Sequence, residues 1–394
     1  MRSAVPGSRT RSHRLLRGIA VFGCVVVTAA ACSSGGGGTS AAVAATSVTI
    51  SPGHGTSSVR PDTVVRVGIK HGRMTFVSVS DEHGSLVPGA FSADRTSWAT
   101  RQVLEPATRY HVAVQGVDGK NRSSLKEADF RTVVPTKLLK AKIAPLNGET
   151  VGVGMPIAVY FTAPVKNRKA VQERFVVTAE KAAEGAWHWF SDTEMHYRPP
   201  SYWPAHDHVT LSYDIDAVDA GGGVWGVEKR SIAFDIGTSH ISKVDAKAHS
   251  MRVYAEGKLV RTFDVSTGRD KYPTTSGIHV VTDKRAVQIM DSSTVGTPRN
   301  APGGYYMRVP NSVRISYSGE FVHAASWSVR DQGRRNVSHG CINISPANAK
   351  WFFDFSDRGD IVQVSGTPRR LQQGNGYADW NLSWSDWTAG DAVR

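Results

Sequence analysis

Cysteine is scarce in this 394-residue chain: there are three, at positions 24, 32 and 341. Two of them fall in the first 32 residues, so Cys341 stands alone in the remainder and no disulfide framework can be drawn there. A lone thiol in an oxidising compartment is a liability unless it is buried or used. Charge is modest as well, at 21% Asp, Glu, Lys and Arg. No basic run or aromatic-basic cluster stands out, which argues against a nucleic-acid partner. Gly (38) and Pro (18) are plentiful, and short Val-rich runs recur between them. That mixture favours strands joined by turns over long helices.

The first segment reads as a targeting signal. Arg2, Arg9, Arg11, Arg14 and Arg17 form a basic start, and an apolar run follows from Gly18 to Ala31. This run is short for a membrane-spanning helix, which needs about 20 residues. It ends in Thr28-Ala29-Ala30-Ala31 directly before Cys32, which resembles a bacterial lipobox with Ala29 where Leu is usual. Cys32 is therefore the expected lipidation site, and export with a membrane lipid anchor facing the cell wall the expected location. Removing residues 1–31 takes Lys+Arg from 47 to 42 against 34 acids, or about +8 from a formal +13. A moderately basic exported protein suits an anionic wall or membrane surface.

Residues 32–46 read as a flexible tether, with Gly35–Gly38 at its centre. Residues 47–134 and 140–237 are expected to form two immunoglobulin-like β-sandwiches. In the first, Val64–Ile69, Tyr110–Val114 and Phe130–Val133 read as strands, with a turn at Asp118-Gly119. In the second, Ile157–Phe161, His208–Tyr213 and Ser231–Asp235 alternate in the same way. A third unit, 238–365, reads as a mainly β domain. Met251–Ala255 and Lys258–Phe263 flank Glu256-Gly257 as a hairpin, and further strands are expected at 277–282 and 314–317. One helix is expected over Pro346–Phe355, capped by Ser345. The tail, 366–394, carries Trp380, Trp384 and Trp387 at one helical face's spacing, and is expected to pack on the third unit.

The chemistry concentrates between Phe321 and Ser345. A reactive cysteine needs a neighbour that takes its proton, and histidine is the usual one near neutral pH. His323 and His339 are both candidates. In an extended strand, His339 and Cys341 would share a face.

This stretch resembles the L,D-transpeptidase signature, in which a His precedes [Ser/Thr]-His-Gly-Cys-x-Asn by roughly 14–17 residues. Here 14 residues (324–337) separate His323 from Ser338-His339-Gly340-Cys341-Ile342-Asn343. Ser266-Thr267-Gly268, Pro273–Gly277 and Tyr305 also look like family features. With the lipobox, two sandwiches and the tryptophan tail, the chain is similar to the mycobacterial-type members. The resemblance implies Cys341 as nucleophile, His323 as general base and the Ala324 carbonyl as the group that orients the imidazole. It implies an oxyanion hole from the amides around Gly340 and Cys341 with the Tyr305 hydroxyl. Ser338, His339 and Asn343 would shape the site, and Met290 and Trp327 would line the donor pocket. The implied reaction joins peptidoglycan stem peptides. A tetrapeptide donor acylates Cys341 and releases D-Ala, and the amine of a neighbouring diamino acid resolves the thioester into a 3→3 cross-link. The resemblance implies no metal or organic cofactor, and it implies acylation by carbapenem β-lactams.

Other patterns compete. Ser123-Ser124-Leu125-Lys126 matches the Ser-x-x-Lys of penicillin-binding proteins, but no Lys-Thr-Gly or Ser-Asp-Asn partner occurs, and it falls where a loop is expected. His188, His196, His206 and His208 lie close in sequence without cysteine ligands, and surface or packing roles suit them better than a metal. Two other functions stay open: a thiol carboxypeptidase that hydrolyses the same stem, and a non-catalytic wall-binding or spacer lipoprotein.

Overall fold

The computed structural model describes residues 45–393; the expected signal, Cys32 and most of the tether lie outside them. Strands dominate. In the first sandwich, Ser47–Ser51, Arg66–Lys70, Ser97–Thr100 and Gly89–Phe91 make one sheet. Thr56–Val59, Ser123–Thr132, Arg109–Asp118 and Gly72–Asp81 make the other. Strict alternation in the Arg109–Asp118 strand sends Tyr110, Val112 and Val114 inward against Met74, Trp98 and Phe130. The Tyr110 hydroxyl accepts from the Glu105 amide at 2.7 Å, a corner bond that pins the strand entry. The Ser-x-x-Lys residues open the Ser123–Thr132 strand rather than a loop. Alternation continues there into Ala128 and Phe130, and Lys126 Nζ is tied to the Val48 carbonyl at 2.6 Å.

The second sandwich pairs the sheet of Ala141–Ala144, Ile157–Phe161, Glu194–Arg198 and Ala186–Ser191 with that of Thr150–Val151, Lys229–Ile236, His208–Asp214 and Phe175–Ala179. Its core does not stop at its own boundary. Val280, Ile361, Tyr377 and Trp380 belong to the same buried cluster as Val159, Trp187 and Phe234. Backbone bonds cross as well, from Gly152 N to Arg358 O (2.7 Å) and from Gly154 N to Gly359 O (2.8 Å). A Cβ on Gly154 would meet Ile361 Cδ1 at 2.1 Å, so the close approach requires glycine.

The third unit holds a five-stranded sheet (Lys258–Asp264, Ser250–Ala255, His240–Asp245, Ile361–Ser365, Gly277–Val280) and a four-stranded one (Asp283–Asp291, Tyr306–Arg314, Phe321–Ala324, Ile342–Ile344). The Glu256-Gly257 hairpin forms, with both residues at positive φ (48° and 75°), as a tight primed turn demands. The helix spans Pro346–Phe355 with the Ser345 hydroxyl accepting from Asn348 N at 3.3 Å. It buries Ala349 and Phe352 against the strands that carry the site. The strand expected at 314–317 instead runs Tyr306–Arg314; the chain turns at Tyr317–Gly319 before re-entering as Phe321–Ala324.

The tail reaches two units. Its first half lies on the third, where Leu371 N donates to Ser276 O at 2.9 Å, Asn375 Oδ1 accepts from Ser318 N at 2.7 Å and Asn381 brackets Ile278 through 2.8 Å bonds to its N and O. Trp380 and Trp387 are buried against the second sandwich. Trp380 Nε1 donates to Gly154 O (2.8 Å) and Trp387 Nε1 to Ala186 O (2.9 Å). The three tryptophans do not share one helix, since Leu382-Ser383 interrupts it. They converge on the Arg198 guanidinium, at 4.7, 5.4 and 4.4 Å from the rings of Trp380, Trp384 and Trp387. Arg198 is the physical reason: a buried cation in a sandwich face is stabilised by aromatic faces.

Candidate active site

Two adjacent parallel strands position the reactive groups. Phe321–Ala324 runs beside Ile342–Ile344 with His323 paired to Asn343, and every residue of both strands is buried. Cys341 enters just before the second strand, half-buried, so the register carries it to the strand mouth near His323. Both line one cavity of about 260 Å³, together with Tyr305, Ser338, His339 and Asn343. Met290 and Trp327 line it too; Trp327 is 53% exposed, with its ring 5.9 Å from that of His323. His339 and Cys341 do not share a face by strand alternation. Gly340 between them sits at φ +125°, in a bend, and both reach the cavity through that bend.

The bend is braced from three directions. Ser338 Oγ accepts from Gly340 N (3.0 Å) and donates to Cys341 O (2.6 Å). Thr274 Oγ1 donates to Gly340 O (2.7 Å) and accepts from Gly268 N (2.9 Å). Ser266 exchanges backbone bonds with Asn343, at 3.0 and 2.9 Å. The Ser266–Gly268 and Pro273–Gly277 segments therefore serve as the scaffold of the cysteine loop. In the resting site the Gly340 amide donates to Ser338 Oγ. Gly340 also supplies a backbone angle that a residue with a Cβ adopts only under strain.

His323 is buried, and its Nδ1 donates to Ala324 O at 2.9 Å. That bond fixes the proton on Nδ1 and leaves Nε2 as the acceptor. Burial pushes the imidazole down to about 4, with the Ala324 bond opposing. Burial also pushes the Cys341 thiol up to about 12, against a hydrogen bond with the Phe321 backbone. The resting pair is thus a neutral thiol and a neutral imidazole. The thiol donates to the Gly319 carbonyl at 3.6 Å, and it must rotate to reach His323. Such bonds often tighten only when substrate arrives. The Tyr305 hydroxyl is raised by burial, then by the fields of Cys341 and Asp291, so it stays a proton donor.

His339 is held between the rings of Tyr272 (4.9 Å) and Tyr305 (5.2 Å). Arg269 Nη2 donates to its Nε2 at 2.7 Å. Desolvation, then the Arg269 charge, lower its pKa, which leaves His339 a neutral wall. Asn343 Nδ2 donates to Ser328 Oγ at 3.0 Å. Sequence reasoning missed Arg269, Gly303, Gly304, Met307 and Val337, and singled out Thr274 only as part of the Pro273–Gly277 run. It also missed Glu320, which is buried behind the bend and accepts from Thr275 N (2.8 Å) and Oγ1 (2.6 Å). A lone acid three residues before His323 was the only signal for Glu320.

The four clustered histidines take separate partners, although His188 and His196 are opposite each other across a strand pair. His196 Nδ1 meets Asp379 at 2.7 Å, His188 Nδ1 meets Trp387 O at 2.8 Å, and His208 Nδ1 meets Asp235 at 2.7 Å. His206 faces Glu256 at 3.5 Å.

A strand-mounted Cys–His pair in one cavity, with a braced loop, marks an enzyme that works through a cysteine acyl intermediate. Comparison with known proteins narrows the class. The bacterial Ig domain profile matches residues 56–219 and the L,D-transpeptidase catalytic domain profile residues 239–364. L,D-transpeptidase 2 of Mycobacterium tuberculosis (strain CDC 1551 / Oshkosh) is 36% identical over 346 residues, covering 88% of this chain and 85% of that protein. L,D-transpeptidase 5 of strain ATCC 25618 / H37Rv is 30% identical over 358 residues, covering 89% and 78%. A solved structure of the LD transpeptidase LdtMt1 in complex with imipenem superposes with a TM-score of 0.51 at 34% identity, over 59% of this chain and all of that one. The chain belongs to the L,D-transpeptidase family.

Proposed function

We propose that this acyltransferase forms 3→3 peptidoglycan cross-links through a thioester on Cys341. The carrying observation is the single cavity that gathers Cys341, His323 and Tyr305 beside a loop held by Ser338. His323 Nε2 takes the thiol proton as sulfur attacks the carbonyl of the donor's third residue. The proton then passes to the departing D-Ala nitrogen as the C–N bond breaks. The acceptor amine attacks the same carbonyl, the C–S bond breaks, and the amine's proton returns by way of His323 to sulfur. The Ala324 carbonyl orients the imidazole throughout. The Cys341 amide and the Tyr305 hydroxyl serve the oxyanion, each worth about 3–4 kcal/mol in the transition state. Ser338, His339 and Asn343 hold the walls, and Met290 and Trp327 receive the donor stem.

Carbapenems fit the same site as acylating inhibitors, supported by the imipenem complex of a protein 34% identical to this chain. The sandwiches act as spacers, and Cys32 as a lipid anchor on the outer face of the cell membrane. Among the described residues no helix is long and apolar enough to cross a membrane. The test is incubation with disaccharide-tetrapeptide and mass spectrometry of the products, beside Cys341→Ala. A dimer lacking one D-Ala, absent with the variant, supports transpeptidation. Tripeptide without dimer means hydrolysis instead.

A further inference from the structure

Cys341 lines one cavity and turns its thiol toward the wall of another of different character. The one described above is lined mainly by apolar and neutral groups. A second, about 250 Å³, shares Met290 and Tyr305 with it and is also lined by Asp291, Arg314, Tyr317 and Gly319. Gly319 is the residue whose carbonyl receives the Cys341 thiol, so this cavity adjoins the sulfur.

Its two charged residues are not equally satisfied. Asp291 is gripped by the Arg299 fork, with Nε at 3.0 Å. Asp283, the first acid whose field acts on Arg314, is bonded to Arg285 at 2.7 Å. Arg314 itself donates one long bond to Ser316 O, at 3.4 Å, and lies 4.4 Å over the Phe321 ring. Among the described residues it has no carboxylate within ion-pair distance. It is half-buried, and burial lowers its pKa. A partly desolvated guanidinium without a counter-ion is stabilised by an incoming anion.

We propose that Arg314 is the carboxylate anchor of this second cavity, holding first the leaving D-amino acid and then an acceptor that carries amine and carboxylate on one carbon. The inference rests on the Cys341 thioester reading and deepens it. The nitrogen expelled during acylation and the nitrogen that attacks during deacylation bond to the same carbonyl carbon, so they occupy one place in turn. D-Alanine bears its carboxylate on the amine-bearing carbon. A diamino acid with a free carboxylate beside its side-chain amine does the same. A guanidinium donates paired charge-assisted bonds to such a carboxylate, and a carboxamide cannot receive them in the same way. Arg314 thereby selects acceptors with that carboxylate free over amidated or carboxylate-free ones.

The experiment supplies the acyl-enzyme, formed from disaccharide-tetrapeptide, with equal D-alanine and D-alaninamide and measures the product ratio by mass spectrometry. The wild type is expected to favour the acid at least about tenfold, as loss of one charge-assisted pair dictates. Arg314→Gln should bring the ratio near one, and Arg314→Lys should fall between. The urea midpoint of each variant reports whether it folds; if the Gln variant does not, the Lys variant carries the comparison. A wild-type ratio near one, or a folded variant with the wild-type ratio, overturns the proposal. No D-alanine release by wild type from the tetrapeptide at all would instead remove the transpeptidase reading, and this inference with it.

Discussion

The hydroxyl of Ser338 donates a 2.6 Å hydrogen bond to the backbone carbonyl of Cys341. The same oxygen accepts from the Gly340 amide, so one side chain sets the path of the chain on both sides of the nucleophile's Cα. Ser338→Ala removes both contacts. Expected is a roughly 10–100-fold loss in acylation rate, since small misplacements of a nucleophile are costly. Stability should fall by only about 1–3 kcal/mol. Stopped-flow acylation by imipenem beside urea denaturation separates the two.

The opposite shifts of Cys341 and His323 fix the pH profile. The base works as neutral imidazole, and burial places its titration at about 4. Acylation kcat/KM should therefore hold down to about pH 5 and fall below it, not at the 6–7 of an ordinary histidine. With the thiol at about 12, iodoacetamide alkylation should keep rising through pH 9–10. A plateau below pH 8 would mean that a thiolate–imidazolium pair already exists at rest.

Thr274 spans two backbone groups, Gly340 O and Gly268 N. Thr274→Val keeps the shape and orphans both. A destabilisation of about 1–3 kcal/mol is expected from each buried unpaired group, with acylation slowed because Gly340 loses its brace. An unchanged urea midpoint would count against this arrangement.

Trp387 is completely buried, stacks on His188 at 4.9 Å and caps Arg198. Trp387→Ala should cost about 3–5 kcal/mol and uncover a buried guanidinium. Thermal unfolding should show the loss in the second sandwich, about 200 residues away in sequence.

Lys126→Ala offers a contrast. Lys126 is tied to Val48 O in the first sandwich, far in the fold from the Cys341 loop. Cross-linking rates should stay within twofold of wild type; a large loss would revive the Ser-x-x-Lys pattern.

Much of this was legible where signals are local. Ser345-Pro346 announces its helix and Glu256-Gly257 its hairpin because capping and turn chemistry act within a few residues. The Ser338–Asn343 block announces the site because nucleophile, loop glycine and brace are contiguous. The Tyr306–Arg314 strand was hidden by Pro310 in its middle, which reads as a breaker and is tolerated where ladder bonds permit. Arg314, Glu320 and Arg269 gain meaning only when distant strands meet. The tryptophan spacing disclosed that the three rings converge but not their target, since Arg198 lies in another sandwich.

The shared core of the second sandwich and the catalytic sheets also sets an order of assembly. The buried core of the first sandwich is drawn entirely from residues 48–130, while Arg60 reaches Asp219 and Trp225 from its surface, so that core can form while later residues are still being made. The second cannot finish early. Its cluster requires Ile361, Tyr377 and Trp380, and Arg198 waits for Trp387. Late-arriving partners of high sequence separation slow folding and couple what they join. The enzyme should therefore melt as two cooperative blocks, with the boundary between the sandwiches rather than before the catalytic domain. A chain cut short by its last fifteen residues would lose a spacer and an active site together.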